Sequence, residues 1–171
     1  MKTKRIAFNA VFAAMAAVLG YLAIDLGSIK FTLESLPVII GALLFGATDG
    51  AFIGGVGIFI YQLLRYGITL TTPLWILPFI VEGVVIGLYS KSKNYELSRL
   101  QTLLIIIIGE LIVTGLNTLS LYIDSHIYGY YYPTFITASL AARIVICIVK
   151  ACVYGAVLPA LLRRLKTQLH K

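Results

Sequence analysis

From Ile6 to Leu162 the chain is a succession of apolar stretches, each about as long as a membrane is thick, and that succession leaves few folds open to it. A bilayer core of about 30 Å is crossed by roughly 20 helical residues. Backbone polar groups in hydrocarbon must be satisfied within the chain, so apolar runs of this length read as helices. The mean hydropathy of +0.95, with 60% hydrophobic and 12% charged residues, excludes a soluble domain, which would expose far too much apolar surface. The expected fold is an all-α integral membrane protein, a bundle of six transmembrane helices forming one domain over 1–171. Spans are predicted at about 6–26, 33–47, 50–65, 73–90, 101–124 and 134–162, which leaves no room for a soluble catalytic domain. The second is short and carries Pro37, so it is expected to be tilted or partly unwound, with a turn at Gly46-Ala-Thr-Asp-Gly50.

A net charge of +7 does not indicate nucleic acid, because the charges are grouped by topology. Lys2, Lys4 and Arg5 precede the first span; Lys91, Lys93 and Arg99 lie in the long polar break; Arg163, Arg164, Lys166 and Lys171 close the chain. With six spans all three groups fall on one side, which the positive-inside rule makes cytoplasmic together with both termini. The first apolar run is too long, and its small residues too evenly spread, for a cleaved signal peptide. The chain is read as complete, in a cell membrane. Cys147 and Cys152 have the spacing of neither a disulfide nor a metal site and read as small buried residues.

Polar residues inside the spans carry the functional information, since charges in hydrocarbon are costly. Glu82 lies mid-depth in the fourth span, Glu110 and Asn117 in the fifth, Arg143 and Lys150 in the sixth. Arg143 and Lys150 are seven apart and share one side of their helix, about 10 Å apart along it. Glu110 is the better-placed partner for Lys150, as a buried structural pair. That leaves Arg143 in the outer half facing Asn117 and the outer loops, a position suited to an anionic or carbonyl-rich ligand. Arg65 either snorkels to the surface or belongs to the loop Tyr66-Gly-Ile-Thr-Leu-Thr-Thr-Pro73, which ends before Trp75 and could order over a ligand. The outer loop from Asp124 to Pro133 holds four tyrosines, suited to an interfacial belt or to stacking.

Two helices carry small residues at four-residue spacing. Ala10 with Ala14 and Ala13 with Ala17 mark the first span, for packing either on the chain's own helices or on a partner. Gly50 and Gly54 in the third read as internal packing. Catalytic signals are poor: no His-Glu-x-x-His, no phosphate-cradling loop and no nucleophile with a matching base occurs. No metal or cofactor is expected, and ATP hydrolysis would have to come from elsewhere.

This pattern resembles the substrate-binding S component of energy-coupling-factor (ECF) vitamin transporters, in the group that includes the folate and pantothenate proteins. The resemblance rests on the size, the Ala10-Val-Phe-Ala-Ala14 face, the Thr32-Leu-Glu-Ser-Leu-Pro37 entry running on to Gly41-Ala-Leu-Leu-Phe-Gly46, and Arg143-Ile-Val-Ile-Cys-Ile-Val-Lys150. It implies a vitamin-binding membrane subunit, not an enzyme, that docks through Ala10, Ala13, Ala14 and Ala17 on a membrane coupling protein (EcfT-type) driven by two ATPases (EcfA-type). It further implies a vitamin site in the outer half, with Glu34, Arg65, Tyr66, Trp75, Glu82, Asn117, Tyr122 and Arg143 as candidates. Folate is the leading substrate; pantothenate, a cobalamin or a queuosine precursor are alternatives. A reading of another class is a ligand-free membrane scaffold, which would have little need for Arg143.

Overall fold

The computed structural model describes residues 2–25 and 30–169. They form six helices: α1 (Lys2–Tyr21), α2 (Ser35–Phe45), α3 (Ala47–Tyr66), α4 (Thr72–Ser92), α5 (Arg99–Ile127) and α6 (Pro133–Leu169). A two-residue antiparallel ladder, β1 (Ile24–Asp25) with β2 (Lys30–Phe31), pairs Ile24 with Phe31. The connection between these strands, residues 26–29, lies outside the described residues, as do Met1, His170 and Lys171.

Of the six expected spans, the short second one is helical over only part of its length. Five helices are long and apolar enough to cross a membrane, but α2 has only 11 residues and reaches about 16 Å, half of what a crossing needs. Its contacts show where it sits. At its start Ser35 donates a 2.6 Å hydrogen bond to Glu110, twelve residues into α5. At its end the Phe45 carbonyl accepts from Arg5 near the start of α1. The stretch before α2 therefore dips into the bundle. Irregular backbone at that depth is tolerated because protein surrounds it: Glu34, Ser35 and Pro37 are all buried.

Glycine governs how closely the next helices approach. A β-carbon on Gly50 would lie 2.8 Å from the Gly83 carbonyl oxygen, and one on Gly54 would lie 2.6 Å from that of Phe79. The expected internal role of this pair holds: α3 and α4 touch backbone to backbone, as small residues permit in a membrane. Gly57 meets Ala13 and Ala16 of α1 in the same way, so the four alanines of α1 do not act as one face. Ala13 and Ala17 are 3% and 5% exposed inside the fold, whereas Ala10 and Ala14 point outward. The cysteines also divide, Cys147 buried and Cys152 exposed.

The helices gather their basic ends together. Arg5 bonds to Asp49 at the α2–α3 turn, Lys91 ends α4, Arg99 begins α5, and Arg163 and Arg164 lie near the end of α6. At this end α2 seats Val38, Ile39 and Leu43 among Ile86 of α4, Ile106 of α5 and Leu158 of α6, none more than 2% exposed. The opposite end, where the loops after β2, α3 and α5 converge, is not filled this way.

Candidate functional site

Between those loops a cavity of about 440 Å³ opens into the bundle. Its walls come from two helical faces. On α5, Glu110, Val113, Thr114, Asn117, Leu121 and Asp124 line it; their three- and four-residue spacing keeps them on one side of a helix. On α6, Arg143, Ile146 and Lys150 do the same. Thr32 and Glu34 enter from the dipping segment, Tyr61 and Gln62 from α3, Trp75 and Phe79 from α4. Tyr66, Thr69, Thr71, Tyr128 and Tyr130 stand at the mouth.

At the bottom is a closed polar knot. The Lys150 ammonium lies 2.8 Å from Glu110, both nearly inaccessible. Ser35 donates to the other Glu110 oxygen and lies 3.1 Å from the Tyr154 hydroxyl. Both charges are paired and the carboxylate is further hydrogen-bonded, the condition for keeping an ion pair in a low-dielectric interior. The pairing expected from depth along the two helices is the one observed.

Higher in the cavity the polar groups are not closed. The Arg143 Nε, the Asn117 Oδ1 and the Glu34 Oε2 are buried with no hydrogen-bond partner among the described residues. Thr32 donates to the other Glu34 oxygen at 3.0 Å. A buried polar atom left unpartnered costs about 1–3 kcal/mol; Arg143 and Asn117 bring such atoms to one cavity as an incomplete hydrogen-bonding surface, while the Glu34 Oε2 lies against Gly20 of α1. At the mouth Asp124 ties α4 to the last loop: it accepts from Trp75 Nε1 at 3.4 Å and from the Tyr130 hydroxyl. Partial burial and the Asp124 carboxylate push the Tyr130 phenol well above its ordinary range.

Of the eight residues expected at a substrate site, Glu34, Tyr66, Trp75, Asn117 and Arg143 meet at this cavity. Three lie elsewhere. Glu82 is wholly buried behind the wall against Gly109, both carboxylate oxygens without a hydrogen-bond partner among the described residues; mid-depth placement could not tell which way its helix faced. Tyr122, 44% exposed, packs on the outside, its ring 5.6 Å from that of Tyr131 and 4.4 Å from His126. Arg65 turns back to α1 and donates to the Tyr21 carbonyl at 3.2 Å. Sequence reasoning missed Tyr61 and Gln62. They stand four and three residues before Arg65, yet nothing in their local pattern separates them from ordinary span residues.

A model of the family "ECF transporter, substrate-specific component" matches residues 4–162. The chain belongs to that family. Substrate-specific components are binding subunits of transporters, embedded in the membrane by several helices, and are not enzymes. Two solved structures share the fold. One is the S component for biotin of an ECF-type ABC transporter, with a TM-score of 0.70 at 19% identity, covering 97% of this chain and 92% of that one. The other is the S component of a bacterial ECF transporter, with a TM-score of 0.69 at 19% identity and full coverage of both chains. No curated protein matches.

Proposed function

We propose that this substrate-specific component captures a water-soluble vitamin bearing a carboxylate from outside a bacterial cell and passes it inward through a coupling module powered by two ATPases. The carrying observation is the incomplete surface of the cavity. Arg143 offers a buried donor to an anionic or carbonyl group, and Asn117 offers an acceptor to ligand N–H or O–H groups. Such a site rejects a molecule lacking those groups, because its own atoms would stay unpartnered. A cavity of about 440 Å³ lies in the range of drug-sized ligands.

Within that class the substrate is folate. Trp75, Tyr61 and Phe79 supply rings for a flat heterocycle, and Arg143 supplies the counter-charge for a carboxylate. Pantothenate and a queuosine precursor use fewer of these features, and a corrin ring exceeds the cavity. A ligand-free scaffold has no use for an open cavity lined by orphaned polar atoms. The basic end, by the positive-inside rule, faces the cytoplasm with both termini. Docking is through the outward pair Ala10 and Ala14.

Mass spectrometry of small molecules released from gently purified protein tests the reading. Folate is expected from the parent chain and absent from Arg143→Ala. A different vitamin lost in the same way would correct the substrate and keep the site. No ligand in either, together with no binding of added vitamins, would favour the scaffold. Ala14→Trp should abolish uptake while binding survives; lost binding would place that face in the fold's own packing.

A further inference from the structure

The vitamin cavity is not the largest recess in the molecule. At the basic end a groove of about 1,100 Å³ runs between the start of α5 and the end of α6. Leu43 and Leu162, both buried, form its floor. Leu103 reaches across to Gly155, where a β-carbon would lie 2.6 Å from its Cδ1, and beyond that contact Ala156 and Ala160 line the apolar side. Pro159 has no N–H to offer the Gly155 carbonyl one turn back, which leaves that acceptor without its helical partner.

Charge distinguishes this groove from an ordinary gap between helices. Arg99, Arg163 and Arg164 line it and are exposed, and no acidic residue is among its described lining. Three guanidinium groups above an aliphatic slot complement a molecule with a phosphate at one end and hydrocarbon at the other. Arginine's planar fork suits phosphate oxygens, and basic pockets between membrane helices recognise anionic headgroups. A soluble phosphate compound would leave the apolar wall unused.

We propose that this groove binds an anionic phospholipid, with its phosphate against Arg99, Arg163 and Arg164 and an acyl chain along the Ala156–Ala160 wall. The lipid would wedge α5 and α6 together at the end remote from the cavity. It lies outside the vitamin site, so the two sites fail or survive independently.

The test is native mass spectrometry of the full chain from mixed micelles holding equal phosphatidylglycerol and phosphatidylcholine with identical acyl chains. The parent should retain one phosphatidylglycerol in strong preference. Replacing the three arginines by glutamine should weaken that retention by roughly fivefold per charge removed. Ala156→Trp keeps every charge, fills the slot from an exposed position and should weaken it too. Vitamin binding by the variants checks that they fold. Equal retention of the two lipids by the parent would overturn the proposal. So would undiminished retention by a folded Ala156→Trp variant, which would reduce the effect to surface charge. Cross-linking of position 156 to the coupling protein in the assembled transporter, with no lipid retained, would assign the groove to that protein.

Discussion

The two ends of this bundle use the same helices for opposite purposes. At the basic end α2 fills the centre with Val38, Ile39 and Leu43, and its neighbours close around it. At the loop end α2 is missing, because it stops at half depth, and the space it leaves is lined by Glu34, Asn117 and Arg143. One half satisfies its interior with aliphatic contact. The other keeps polar atoms unpartnered among the described residues, an arrangement that stabilises only when a ligand supplies the missing bonds. The Glu110–Lys150 pair with Ser35 and Tyr154 is the seam between them.

Breaking the seam should have the largest effect. Lys150→Ala leaves the Glu110 carboxylate buried and unpaired, and removing one partner of such a pair costs about 3–5 kcal/mol. Thermal unfolding in detergent should fall steeply, and Lys150→Met with Glu110→Gln should recover most of the loss. A mild effect of Lys150→Ala would mean that water reaches the pair through the cavity.

Crowding the packed half comes next. Gly50→Val would drive side-chain atoms into Ala42 and the Gly83 carbonyl, and overpacking of this kind costs about 1–3 kcal/mol. A lower unfolding temperature is expected, whereas the same change at Gly115, where a β-carbon meets nothing within 4 Å, should be far milder.

The open half should answer in the other currency. Asn117→Ala removes an acceptor that serves no donor among the described residues, so unliganded stability should be unchanged while ligand affinity falls roughly tenfold or more. Isothermal titration beside a melting curve separates the two; parallel loss of both would mean that Asn117 holds the fold. The smallest effect is expected at Arg5→Gln. Its guanidinium is half-exposed while Asp49 is buried, but Asn9 still donates to that carboxylate after the change, which holds the loss to about 1 kcal/mol. A loss well above that in thermal unfolding would make the α1 attachment part of the packed half.

Much of this contrast is written in the chain itself. Glu110 and Lys150 could be paired because each sits a countable number of residues along a helix of known rise, and the same reasoning put Arg143 beside Asn117. The glycines of α3 announced a close helix contact through their spacing. What was not legible followed from facing and length. Glu82 and Arg143 are both intramembrane charges, but only the rotation of α4 decides that one is sealed behind the wall and the other lines the cavity. Tyr122 and Tyr66 are both loop-side tyrosines, and only packing sends one outward.

The sequence by itself determined a multi-pass helical membrane protein with its basic residues grouped by topology, because lipid leaves a backbone no other economical way to satisfy its polar groups. It also determined which polar residues needed an explanation, because charge in hydrocarbon is costly wherever it falls. Only the tertiary structure decided that the second apolar segment is a half-length helix, that Ala13 and Ala17 turn inward while Ala10 and Ala14 turn outward, and which polar atoms share one cavity. Those outcomes depend on how each helix is rotated and how deep it sits against its neighbours, and local periodicity carries no record of either.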